Sequence, residues 1–165
     1  DTYERIRVNY IMEGIDKLFD NFRSKIGTTI GQSEWINIKQ NLINDFANLT
    51  MDNQFIHIDQ ERALKETPFG STIAHGFLIL SLSTKFFVDA VGEIEGEKMG
   101  INYGFNKLRF VNPVKSNDMI RGVFKLKEVE RRNQNEILFT HNLTIEIKNV
   151  EKPAIVCEWL NLSIF

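Results

Sequence analysis

The stretch His75-Gly76-Phe77-Leu78-Ile79-Leu80-Ser81-Leu82-Ser83-Thr84-Lys85-Phe86-Phe87-Val88-Asp89-Ala90-Val91 decides how this chain must fold. From Phe77 to Val91 it is apolar nearly all round, and Ser81, Lys85 and Asp89, four residues apart, form its polar stripe. A helix with so narrow a polar face must be covered on its other sides by protein. It is shorter than the ~20 apolar residues that cross a bilayer. The spacing predicts one buried central helix over Phe77 to Val91, with the rest of the chain arranged around it.

Downstream of Gly100 the periodicity changes. Phe124 and Leu126 alternate with Lys125 and Lys127, and Ile137, Phe139, His141, Leu143, Ile145 and Ile147 alternate with the residues between them. A period of two is that of a strand with one buried face. Arg132-Asn133-Gln134-Asn135 reads as the hairpin turn joining these runs, and Ile101 to Val111 and Ala154 to Phe165 read as two further strands. Upstream, Ile11, Ile15, Leu18, Phe19, Phe22 and Ile26 recur at steps of three and four, predicting an amphipathic helix that Gly27 to Gly31 ends. Leu42, Phe46 and Leu49 mark a second helix ending just before Asp52. Asp59 reads as the N-cap of a short helix through Leu64, stopped at Thr67-Pro68-Phe69-Gly70. Helices first, then one buried helix, then antiparallel strands predict an α+β domain with the sheet wrapped on the central helix.

Composition excludes several functions. The 165 residues suffice for one domain with a substantial core. Net charge is −2, from 20 basic and 22 acidic residues, which leaves no electrostatic footprint for nucleic acid or an anionic membrane. Cys157 stands alone, so no intrachain disulfide can form, and its apolar surroundings read it as a small buried hydrophobe. The charged, amphipathic start does not read as a secretory signal, and a cytoplasmic setting is expected. Three scattered histidines and one cysteine give no metal-ligand spacing, so neither a metal nor a cofactor is expected. The hydroxyls Ser71, Thr72, Ser81, Ser83 and Thr84 include no Gly-x-Ser-x-Gly elbow, so a serine-hydrolase reading fails.

The chemistry concentrates in one segment. Asp52 and His57 lie five apart in Asp52-Asn53-Gln54-Phe55-Ile56-His57, and Ile73-Ala74-His75-Gly76 opens the apolar helix. A carboxylate and an imidazole can hold and activate a water, and amides at a helix start can take up developing negative charge on an oxygen. These residue types suit addition of water across a polarised double bond. Each also has a plainer reading: Asp52 as a turn residue, His57 as a hydrogen-bonded polar side chain, Gly76 as a helix-entry glycine. His141 reads as a core histidine with a hydrogen-bond partner.

Asp52 to Asp59, followed by Pro68-Phe69-Gly70-Ser71-Thr72-Ile73-Ala74-His75-Gly76-Phe77-Leu78, resembles the hydratase signature of the MaoC-like dehydratases, a hot-dog-fold family that includes (R)-specific enoyl-CoA hydratases. Gln54-Phe55 stands where the best-characterised hydratases have Asn-Pro, which is the pattern of the NodN-like branch. Phe105-Asn106-Lys107-Leu108-Arg109-Phe110-Val111-Asn112-Pro113-Val114 is similar to the family's strand after the central helix. The resemblance implies a hot-dog domain over 28–165, preceded by a helical extension over 1–27, and a homodimer with its active site near the interface. It implies an acyl-CoA or acyl-carrier-protein thioester as substrate. Asp52 and His57 would activate the water and Gly76 would bind the thioester oxygen. Phe55, Phe69 and Phe77 flank these residues and are expected to line a narrow apolar tunnel. Ala74 and His75 are expected beside it, with His75 also readable as a structural side chain beneath the loop. A thioesterase and a non-catalytic acyl-thioester binder are the alternative readings.

Overall fold

Residues 14–165 are described by a computed structural model, and the elements alternate much as the periodicities require. Helix α1 covers residues 14–24, continuing the pattern that began at Ile11; residues 1–13 lie outside the described part. Strands β1 (Thr29–Gln32) and β2 (Ile36–Asn37) follow, then helices α2 (Gln40–Thr50), α3 (Phe55–Ile58) and α4 (Gln60–Glu66). The apolar stretch forms α5 (Gly76–Ser81) and α6 (Ser83–Val91). Four long strands complete the chain: β3 (Met99–Phe110), β4 (Met119–Arg131), β5 (Glu136–Ile147) and β6 (Ile155–Ile164).

The strands form one antiparallel sheet in the order β1-β4-β5-β6-β3, with β2 also pairing with β4. Its inner face and the central helix share the main core, in which Phe86, Ile79, Phe124, Trp159, Leu143 and Ile145 are buried. Two glycines allow the helix to lie this close. A Cβ on Gly31 of β1 would stand 2.2 Å from the Ala90 carbonyl oxygen, and one on Gly122 of β4 would stand 2.7 Å from Cβ of Phe86. Neither clash could be relieved without moving α6. A smaller cluster forms where α1 meets the sheet, with Phe22 edge-on to Phe139 at 5.0 Å. Arg131 of β4 bonds Asp16 at 2.9 Å across the same junction.

The expected single buried helix is interrupted at Leu82 and is buried on one face only, with Phe77 67% and Val88 50% exposed, because the sheet packs against one side of it. Ser81 and Ser83 hydroxyls donate back to the carbonyls of Phe77 and Leu80, both at 2.6 Å, and the Leu82 N–H turns to Ile79 at 3.2 Å. Short-range hydroxyl and i−3 bonds tighten the turn and divide α5 from α6. The other boundaries shift little: Asp59 caps α4 by accepting from the Arg62 N–H at 2.9 Å, and the β4–β5 hairpin turns through 132–135. Cys157 is buried, and desolvation pushes its thiol up to about 12, so it behaves as a hydrophobe.

His141 departs from expectation. It lies on the inner face of β5 among Phe87, Phe124, Phe139 and Trp159, and neither ring nitrogen has a hydrogen-bond partner among the described residues. Aromatic neighbours fill its surroundings and offer no acceptor. Burial lowers its pKa from 6.5 to about 4. Between those values the unfolded chain binds the extra proton, so this part of the stability is complete above pH 6.5 and is lost as the pH falls toward 4. The loss should reach roughly 3 kcal/mol at the acid end. Urea unfolding at about pH 7 and about pH 4.5 should show the decline, and His141→Leu should show much less of it.

Candidate active site

Helix α2 ends at Met51, whose φ of 61° places it in the left-handed region and turns the chain sharply into Asp52. Three residues on, α3 makes a single turn and buries His57 on its inner side, and Asp59 then stops α3 and starts α4. The strap Thr72-Ile73-Ala74 crosses beneath this turn. It is held by Ile73 N–H to Ile56 O at 3.0 Å, Ala74 N–H to Val114 O at 2.7 Å and Ser116 N–H to Thr72 O at 3.0 Å. The strap delivers the chain to His75, the N-cap of α5, and to Gly76, its first residue.

The geometry assigns the proton on His57. Its Nδ1 lies 2.7 Å from the Ile73 carbonyl oxygen, which can only accept, so Nδ1 carries hydrogen and Nε2 keeps its lone pair. Its pKa is lowered, first by burial; the Ile73 carbonyl opposes this, His75 adds to it, and Asp52 opposes it. The ring is therefore held in its neutral, basic form near neutral pH. Single ligand-type atoms of Asp52, His57 and His75 all lie within 4.8 Å of one another, a span one bridging water can cover.

This clustering was not readable from spacing, since His75 stands far from the other two along the chain. Three such groups invite a metal ion, but the ring geometry opposes one. The two imidazoles stack with centroids 3.7 Å apart and planes at 24°, so their ring nitrogens lie in two nearly parallel planes rather than in one plane facing a common centre.

A cleft of about 380 Å³ adjoins the cluster, lined by His57, Ala74, Gly76, Phe77, Phe110 and Val114 among others. Of the expected lining, Ala74 and Phe77 are present. Phe55 and Phe69 are not: Phe55 lies beneath the Arg62 guanidinium at 3.9 Å, and Phe69 belongs to the turn after α4. A short helical turn rotates Phe55 away from the side occupied by His57. His75 is 3% exposed and lies behind the cleft, outside its lining. Gly76 borders the cleft at the start of α5, where helix amides lack intrahelical acceptors. A Cβ there would stand 2.7 Å from the Phe110 ring, so the missing side chain makes room for Phe110. A larger hollow of about 530 Å³, between α1 and Glu95 to Lys98, contains no part of this cluster.

Gln40 and Thr72 were missed by sequence reading, because both act through tertiary contacts alone. Gln40, at the start of α2, donates from Nε2 to the His57 carbonyl at 2.7 Å, and its Oε1 accepts from the fully buried Thr72 hydroxyl. It ties α2, α3 and the strap together. Gln40→Leu would leave the Thr72 hydroxyl without its partner, and should lower stability by about 1–3 kcal/mol in urea unfolding.

Residues 21–147 match the family model described as MaoC like domain. The chain is 43% identical over 142 residues to Nodulation protein N of Rhizobium leguminosarum bv. viciae, covering 86% of this chain and 88% of the relative. It is 41% identical over 132 residues to 3-hydroxyacyl-thioester dehydratase Z of Mycobacterium tuberculosis, covering 80% and 86%. Among solved structures, an unliganded (R)-hydratase from Pseudomonas aeruginosa superimposes with a TM-score of 0.66 at 21% identity, covering 84% of this chain and 81% of that one. This likeness is one of fold, a helix wrapped by an antiparallel hot-dog sheet.

Proposed function

This chain belongs to the MaoC-like dehydratase family, and we propose that it is a hydro-lyase interconverting trans-2-enoyl thioesters and (R)-3-hydroxyacyl thioesters. The observation that carries the reading is the unprotonated Nε2 of His57, fixed by the Ile73 carbonyl, beside Asp52 and the Gly76 end of the cleft. Asp52 and His57 hold one water between them. His57 Nε2 takes a proton from it as the oxygen adds to C3. The C2–C3 electron pair shifts onto the thioester carbonyl, and the Gly76 N–H stabilises the oxygen as it becomes enolate. One of the pair then returns a proton to C2, and the reverse sequence expels water.

The substrate is an acyl-CoA or acyl-carrier-protein thioester, and the setting is the cytoplasm. Among the described residues no helix is long and apolar enough to cross a membrane. Incubation with crotonyl-CoA discriminates the readings: loss of enoyl absorbance supports hydration, free thiol supports hydrolysis, and neither leaves an acyl-thioester binder. Asp52→Asn keeps size and shape and should reduce hydration by roughly 10²- to 10⁴-fold, with His57→Ala similar. If they serve one step, the double variant should be little worse than either single one. The lowered His57 pKa puts the acid limb of kcat/KM below the ordinary 6.5, activity falling as the ring protonates.

The same proposal includes a homodimer. Strand β3 is an edge of the sheet, and it leaves Met99, Ile101, Tyr103 and Phe110 between 42% and 55% exposed. An apolar edge with free backbone groups is a site for pairing with another strand, and Phe110 carries it to the cleft. Sedimentation should give twice the chain mass, and Ile101→Lys with Tyr103→Lys should shift the equilibrium to monomer and lower activity with it.

A further inference from the structure

Three parts of the proposed machinery meet at one side chain outside the cleft. The Nε2 of His75 lies 3.0 Å from the Asp52 carbonyl oxygen. Its ring stacks on His57 at 3.7 Å. Its own backbone forms the N-cap of α5, directly before Gly76. The ring of Phe46, from α2, closes on it at 5.1 Å and 54°. A carbonyl oxygen only accepts, so Nε2 carries the proton and Nδ1 does not. That Nδ1 is buried and has no hydrogen-bond partner among the described residues.

The orphaned nitrogen is informative. If position 75 only filled space beside Phe46 and His57, a phenyl ring would do so without leaving a desolvated acceptor, which costs stability. What an imidazole adds is the N–H that holds the Asp52 backbone. That backbone follows Met51 on an exposed turn and has a carboxylate to aim. The stack adds a second constraint, because His57 is already pinned at Nδ1 and a ring against its face prevents it from tilting.

We propose that His75 is the positioning residue of this site, registering Asp52, His57 and the start of α5 against one another while touching no substrate. The proposal rests on the hydratase reading above. The titratable groups that face the His75 ring are His57 of α3 and Asp52 of the turn before it; the α2 side presents Phe46. His75 also contributes to the lowered pKa of His57, which holds that ring in its neutral form.

The test compares wild type, His75→Phe and His75→Gln. Phe keeps the stack and loses the N–H; Gln offers an N–H to Asp52 and loses the stack. Kinetics with crotonyl-CoA are read together with ring ¹⁵N NMR of His57 across pH. His75→Phe should lower kcat by about 10- to 100-fold, the scale of a misplaced reacting group, with KM changed by no more than about twofold. Its His57 should titrate at higher pH, because the lowering contributed by His75 is gone. His75→Gln should recover part of kcat. Wild-type kcat with an unchanged His57 titration in His75→Phe would overturn the proposal. So would a loss of activity in both variants that merely follows their melting temperatures. If His75→Phe does not fold, His75→Gln decides by the split between kcat and KM. If wild type itself does not hydrate crotonyl-CoA, the hydratase reading falls, and the His57 titration still decides whether His75 is coupled to it.

Discussion

A largely apolar helix needs cover from other parts of the chain, and the sheet of this molecule supplies it to the face that carries Leu78, Ile79 and Phe86. Phe86 is fully buried and Leu78 and Ile79 nearly so. Each such side chain contributes about 1.5–3 kcal/mol when removed from water. The cover is the inner face of the sheet, and it must come close. Gly31 and Gly122 give up their side chains so that Ala90 and Phe86 can approach the strands. The tight turn at Leu82 bends the helix within the same enclosure.

The enclosure also determines where chemistry can occur. The sheet covers the face of the helix that carries Leu78, Ile79 and Phe86, Phe77 and Val88 lie exposed on the other, and the free amides stand at its N-terminal end, where Gly76 borders the cleft. The strap 72–74 delivers the chain to that end, and the bonds of the strap to Ile56 and Val114 fix it to both α3 and the segment leading into β4. His57 draws its orientation from the strap, through Ile73, and its carbonyl is held by Gln40. His57 and Gly76 therefore share one scaffold of hydrogen bonds through the strap, and the His75 ring ties Asp52 to it.

Burial has two electrostatic effects in this fold. At His57 it favours the neutral ring, which is the form a base requires, while Asp52 and the Ile73 carbonyl limit the shift. At His141 the same effect acts without any opposing partner and lowers the pKa to about 4. One imidazole is tuned by its neighbours, and the other is only desolvated.

Periodicity determined the architecture, because the positions of apolar side chains along a helix or strand follow from backbone geometry alone. The apolar helix, the alternating strands of β4 and β5 and the Asp59 cap all came from it, although the helix is buried on one face rather than all round, and the spacing of Asp52, His57 and Gly76 marked one segment as chemical. The break at Leu82 was not legible, since it depends on which carbonyls the Ser81 and Ser83 hydroxyls reach. Nor was the exclusion of Phe55 and Phe69 from the cleft, which follows from how α3 and the turn after α4 are rotated. The roles of Gln40, Thr72 and His75 required tertiary structure, because Gln40 and Thr72 are 32 residues apart and His75 and Asp52 are 23 apart. A sequence records which groups are available and how local geometry repeats. Only folding brings distant carbonyls, hydroxyls and rings within hydrogen-bonding distance, and that is what decided the tautomer of His57 and the neighbours that hold it.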